Sequence, residues 1–205
     1  MLRGRLHQIA AIAAVPAGLA LVVVADGSRA RIGAVVYALA LASQFAASAA
    51  YHLGRWTDRA RARMQRLDHA TIFVLIAGTY TPLCLVAIQG PASIAVLAAV
   101  WAGAVVGVAT KLYRSDLHVF SGFLYIGIGW VAIAVFPALV RELSRVQLTL
   151  VVAGGLTYSL GALVLVLRRP DPWPRVFGYH EVWHAATVVG AVCMYTAVLL
   201  ELLAS

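Results

Sequence analysis

Charge is scarce in this chain of 205 residues. Charged side chains make up 12% of it, and only eight residues are acidic. A soluble domain carries about 25% charged and about 45–50% apolar residues. Here 62% are hydrophobic and the mean hydropathy is +0.89, which excludes a water-soluble globular class and leaves an integral membrane protein. Cysteine is nearly absent too. Cys84 and Cys193 both lie inside apolar runs, so there is no disulfide framework and no CxxC site. Internal repeats, polar low-complexity tails and any stretch that would build a soluble domain are lacking as well. The net charge of +8 would suggest nucleic acid in a soluble chain. Its arginines are confined to short loops between apolar runs, which excludes that partner and points to membrane lipids. No small-residue cleavage site follows the first apolar run, so that run reads as a retained span.

What is present is a series of seven uncharged runs, each 17 to 22 residues long: Ile9–Ala25, Ile32–Tyr51, Ala70–Ile88, Ala92–Thr110, Val119–Val140, Leu148–Leu167 and Val182–Leu200. At about 1.5 Å of rise per residue, each crosses a hydrocarbon core of about 30 Å as a helix. The expected fold is an all-α, seven-transmembrane bundle forming one domain over residues 1–205. Pro82 should kink the third span, because it leaves a carbonyl one turn earlier without its donor. Abundant Ala, Gly and Ser suit close helix packing in lipid.

Lysine and arginine set the orientation. Twelve of the 16 fall on one side: Arg3, Arg5, Arg55, Arg59, Arg61, Arg63, Arg66, Lys111, Arg114, Arg168, Arg169 and Arg175. Arg29, Arg31, Arg141 and Arg145 fall on the other. The arginine-rich side should be cytoplasmic, with the N-terminus inside and the C-terminus outside, in a cell membrane. Within Gly54–Leu67, arginines 55, 59, 63 and 66 repeat at helical spacing. Two readings stand: an ordinary positive-inside loop, or a short interfacial helix against anionic headgroups. Pro170, Pro172 and Pro174 make the last cytoplasmic loop extended and turn-rich.

Polar ligand-type residues gather at this same side. His52 ends the second span, Asp68 begins the third, and His180 and His184 begin the seventh. The last two are spaced i, i+4, as are Ser48 and His52, so each pair shares a helix face. Three imidazoles with a fourth position open are the donor set of catalytic zinc. The bland alternative is that these histidines are interfacial, hydrogen-bonded residues at helix ends, and spacing leaves both open. His7, His69 and His118 lack helical partners and read as interfacial or supporting residues. Cys84 lies 16 residues beyond Asp68, about 24 Å along a helix, too deep to ligate. The run His180-Glu181-Val182-Trp183-His184 also spells H-E-x-x-H, in which the glutamate is the base of a zinc protease.

Taken together, Ser48-Ala-Ala-Tyr-His52, Leu67-Asp68-His69-Ala70, Ile76-Ala-Gly-Thr-Tyr-Thr-Pro82, Gly129-Trp130 and Tyr179-His-Glu-Val-Trp-His184 resemble the bacterial hemolysin III family. That family stands within the progestin and adipoQ receptor superfamily. The resemblance covers essentially the whole chain. It implies seven spans with the N-terminus inside, Zn²⁺ held by His52, His180 and His184, a serine at Ser48, and an aspartate near the metal's water at Asp68. Relatives are linked to hydrolysis of lipid amides, and bacterial members to haemolysis by name and to membrane-fluidity homeostasis.

The expected function is therefore a zinc-dependent hydrolase of lipid amides or esters, with Asp68 as general base and Ser48 as hydroxyl donor. A lipid sensor or receptor-like protein with structural zinc is the alternative, and an intramembrane H-E-x-x-H protease comes third. The orientation is directly testable. Cysteines placed at Arg114, Arg169, Arg29 and Arg145, treated with an impermeant thiol reagent on intact cells, should label at 29 and 145 only. Labelling at 114 and not at 145 would invert the topology.

Overall fold

The computed structural model describes residues 4–88, 90–114 and 117–204. Arg3 and the side chain of His118 lie outside the described residues. Every regular element in that set is helical. In order they are α1 (Arg5–Val24), α2 (Gly27–Leu53), α3 (Asp58–Pro82), α4 (Pro91–Tyr113), α5 (His118–Gly129), α6 (Phe136–Glu142), α7 (Arg145–Leu167) and α8 (Tyr179–Ala204). Seven segments are long and apolar enough to span a membrane, the fifth composed of α5, a 3-10 turn and α6.

Helix starts follow local chemistry. Ser144 and Gln147 form a reciprocal capping box at α7, with Gln147 N donating to Ser144 Oγ at 3.3 Å and Ser144 N to Gln147 Oε1 at 2.8 Å. Asp26 accepts from Gly27 N at 2.8 Å and Thr57 from Ala60 N at 3.4 Å. Pro91 sits at the start of α4, where its missing N–H costs nothing. Residues 54–57 link α2 to α3, and helix begins at Asp58 without interruption into the span. The arginines of Gly54–Leu67 thus ride on an extension of α3, and no separate interfacial helix forms. The proline segment after α7 is non-helical as expected, with a turn closed by Trp173 N to Phe177 O (3.1 Å) and Phe177 N to Trp173 O (2.8 Å).

The helices α2 and α3 are central, with α1 and α4 against their outer sides and α8 closing onto α1 and α7. Small residues let α2 and α3 touch. A Cβ on Gly33 would lie 2.8 Å from Pro82 Cα, and one on Gly78 would lie 2.4 Å from Ala40 Cβ. Tyr37, Phe73, Leu21, Val100 and Val198 are fully buried between helices. Val23, Ile94, Phe123 and Val166 point outward, as lipid-facing side chains do.

Two spans are irregular. At Pro82, where a kink is expected, the structure records a change of winding, the third span continuing as a π turn over Leu83–Ala87. The fifth, read in the sequence as one run over Val119–Val140, is broken at Trp130 and rewound as a 3-10 turn over Val131–Val135. Pro137 explains part of this, since it offers no N–H to the carbonyl of Ile133. A neighbouring side chain supplies the rest. Tyr80 Oη donates to Gly129 O at 2.8 Å and accepts from Ala132 N at 2.8 Å. Trp130 Nε1 also donates to Ser159 Oγ at 3.1 Å, tying the break to α7.

Backbone groups without partners in hydrocarbon cost several kcal/mol in principle, and measured losses for an abandoned buried hydrogen bond are about 1–3 kcal/mol. Tyr80→Phe should therefore lower the unfolding temperature in detergent by several degrees. Tyr158→Phe should be neutral or stabilising, because the buried Tyr158 hydroxyl makes no hydrogen bond among the described residues. Equal effects of the two changes would refute the role given to Tyr80.

Candidate metal centre

Helix ends at the arginine-rich side build the site. The last turn of α2 is closed by Gly54 N donating to Ala50 O at 3.0 Å, and by Trp56 Nε1 donating to the same carbonyl at 2.9 Å. A Cβ on Gly54 would meet the Trp56 indole at 2.3 Å, so glycine there is what lets the ring fold back. This fixes the turn that carries Ser48 and His52. The start of α8 is fixed by two carboxylates. Asp171 Oδ1 accepts from Tyr179 N at 2.8 Å, and Glu181 Oε2 accepts from Gly178 N at 3.0 Å. His180 and His184 follow one turn apart.

Three imidazoles converge. The ring centroids of His52 and His180 are 5.0 Å apart, those of His52 and His184 4.8 Å, and those of His180 and His184 4.7 Å. One nitrogen from each lies within 4.8 Å of the others, an arrangement that could hold a metal ion. His180 Nε2 and His52 Nε2 are 3.4 Å apart. Asp68 Oδ2 stands 3.8 Å from His52 Nε2, and Ser48 is buried one turn before His52 on the same face of α2. His52, His180, His184 and Asp68 are thus brought together from three helices. Asp68 is outside the trio of close nitrogens but adjacent to it.

Sequence reasoning underrated two histidines. His7 is buried, stacks on His184 at 3.9 Å with the rings 11° from parallel, and meets Phe45 edge-on at 5.1 Å. Its Nε2 pairs with Thr187 Oγ1 at 2.9 Å, and that hydroxyl donates to the His184 carbonyl at 2.8 Å. Nothing in local spacing signals this, because the partners come from the last helix. His69 borders the site, and its carbonyl accepts from Tyr125 Oη at 2.7 Å, which holds α5 against α3. Cys84 and Cys193 take no part in the cluster.

Two of the trio, His52 and His180, border a cavity of about 370 Å³ lined also by Tyr51, Leu53, Arg61, Gln65, Asp68 and His69, while His184 lies buried behind them. That volume lies in the range of small-ligand pockets, about 300–1,000 Å³. Imidazoles, a carboxyl and a hydroxyl bordering such a space form a set able to bind a metal ion and move protons.

Similarity to known proteins places this architecture. A 138-residue stretch is 33% identical to Hemolysin-3 of Bacillus cereus, covering 67% of this chain and 60% of that protein. A 137-residue stretch is 31% identical to the Hemolysin-3 homolog of Bacillus subtilis (strain 168), covering 66% and 62%. The matched region therefore spans less than two thirds of either bacterial relative. Similarity extends to the plant Heptahelical transmembrane protein ADIPOR2 of Oryza sativa subsp. japonica, 30% identical over 181 residues, 80% of this chain and 79% of that one. Residues 1–195 match the family model described as Haemolysin-III related. With its seven apolar helices, this multi-pass cell-membrane protein belongs to the haemolysin-III-related family, within the progestin and adipoQ receptor superfamily.

Proposed function

We propose that the protein is a zinc-dependent hydrolase of membrane lipid amides or esters, working at the cytoplasmic end of the bundle. The observation that carries this reading is the nitrogen geometry beside a buried carboxyl. Zinc–imidazole bonds of about 2.0–2.1 Å in tetrahedral array require nitrogens about 3.3–3.4 Å apart; His52 Nε2 and His180 Nε2 are 3.4 Å apart, and the nitrogens of the full trio lie within 4.8 Å of one another. Imidazole donors suit zinc, as they do copper, iron and nickel, and three of them with an open fourth position are the donor set of a catalytic zinc. His52, His180 and His184 would hold it.

Zinc, when bound, supplies Lewis acidity toward a carbonyl and toward water. The chain's own residues do the rest. Asp68, at 3.8 Å from His52 Nε2, accepts the proton of the attacking water and returns it to the leaving amine or alkoxide. Ser48, one turn before His52 on α2, is assigned the hydroxyl that donates toward a developing oxyanion. The stack of His7 on His184 restricts that ring's rotation. Glu181 is engaged with Gly178 N at the start of its own helix, which weighs against the protease reading of the H-E-x-x-H run. Buried polar groups from three helices at membrane depth are costly without a function or an ion to offset them.

Two predictions follow from these roles. Gently purified protein should contain about one zinc per chain by elemental analysis, and His52→Ala and His184→Ala should each lower zinc retention and thermal stability, because the ion links α2 to α8. Wild-type protein devoid of zinc would count strongly against the site. Asp68→Asn should keep the fold and the zinc and lose about 10²- to 10⁴-fold in turnover of acyl-lipid substrates. Glu181→Gln should weaken the helix start and leave turnover nearly intact. Loss of zinc in Asp68→Asn would make the aspartate a ligand of a structural ion and favour the lipid-sensor reading. Full turnover there with an inactive Glu181→Gln would hand the base role to Glu181.

A further inference from the structure

We infer that Arg61 recognises an oxyanion head on the lipid substrate, so that the pocket selects phosphate-bearing acyl lipids over neutral ones. The inference rests on the hydrolase reading above and deepens it. Arg61, Gln65 and Asp68 follow one another at i, i+4 and i+7, which places them along a single face of α3, and all three line the cavity. The stripe runs from an exposed guanidinium at the mouth to the buried carboxyl beside His52.

Several features distinguish Arg61 from the arginines around it. Its guanidinium carbon lies 5.5 Å from the centroid of the Tyr51 ring, and that ring lies 4.6 Å from His52. The aromatic face holds the guanidinium over the cavity with a favourable cation–π contact and leaves its N–H edge for another acceptor. Among the described residues, no carboxylate forms an ion pair with it. Arg55, Arg59, Arg63 and Arg66 do not line the cavity. Those four attract an anionic surface as a group, whereas Arg61 meets a ligand that has entered.

Arg61 is the permanent cation among the cavity's lining residues, and Gln65, between it and Asp68 on the same face, adds an amide donor. Seven residues of helix separate Arg61 from Asp68, about 10 Å along the axis. A glycerol unit together with the arginine side chain bridges that interval, setting an acyl carbonyl at the histidines while a phosphate meets the guanidinium. Arginine is suited to this task, because its planar fork gives two parallel charge-assisted hydrogen bonds to one phosphate. The lipid source is favoured over free phosphate by Trp56 and Leu67, exposed apolar side chains at this same end of the bundle.

The test is binding by the full, zinc-containing protein in maltoside micelles, using dioctanoyl phosphatidic acid, dioctanoylglycerol and inorganic phosphate as probes. Wild-type protein should bind the phosphatidic acid about tenfold or more tightly than the diacylglycerol, the equivalent of losing one charge-assisted pair. Arg61→Gln should bring the two within about twofold with zinc content unchanged, Arg61→Lys should recover part of the preference, and Arg59→Gln should retain it. Equal losses in Arg61→Gln and Arg59→Gln would reduce the effect to surface charge and overturn the proposal. So would inorganic phosphate that competes as well as the lipid. Intact Arg61-dependent selectivity without turnover of either lipid would sink the hydrolase reading and leave the anion subsite standing. Turnover without any preference would do the reverse.

Discussion

The absence of water from the bilayer core governs this structure more than any single contact. Each backbone N–H and C=O there must find a partner within the protein. Regular helix meets the demand automatically, so only departures from it need special side chains. The π turn after Pro82 lies beside Ser93, whose hydroxyl donates to the Cys84 carbonyl. The hydroxyl of Thr81, which donates to Ala77 O at 2.8 Å, also receives Trp101 Nε1 at 3.1 Å. The break in the fifth span is bridged by one phenol from α3. The irregularities of the third and fifth spans are therefore joined at Tyr80, and the polar residues that look out of place in apolar runs are what permit the helices to deviate.

The same economy shapes the functional end. Helix termini leave several backbone groups without partners inside the helix, and here the groups that satisfy them also set the site. Trp56 caps the turn bearing His52, while Asp171 and Glu181 cap the turn bearing His180. Positioning a ligand and closing a helix are one structural task, which gives the cluster rigidity without a dedicated scaffold.

Much of this was legible in the sequence. The seven runs and the gathering of His52, Asp68, His180 and His184 at one side follow from hydropathy and arginine placement, whereas spacing alone left the role of the histidines open and the family resemblance supplied the set of His52, His180 and His184 with Asp68 and Ser48. Helix ends were underestimated. Hydropathy ended the second run at Tyr51 and opened the third at Ala70, whereas helix runs to Leu53 and begins at Asp58, because charged residues are excluded from hydrocarbon and not from helices. The broken fifth span was hidden, since Val119–Val140 is equally apolar whether straight or interrupted. Its cause, a hydroxyl on another helix, has no local trace. His7 was hidden for the same reason. Glu181 was ambiguous because a base in a motif and a cap three residues into a helix look alike until the backbone N–H it serves is known.

The pairing of His7 with His184 joins the first helix to the last. In vectorial synthesis α1 and α2 are made before α8. His52 and Asp68 therefore emerge ahead of the rings that complete their cluster. The trio of imidazoles assembles only once α8 has packed back against α1, so the order in which the helices are made separates the parts of the cluster in time as well as in sequence.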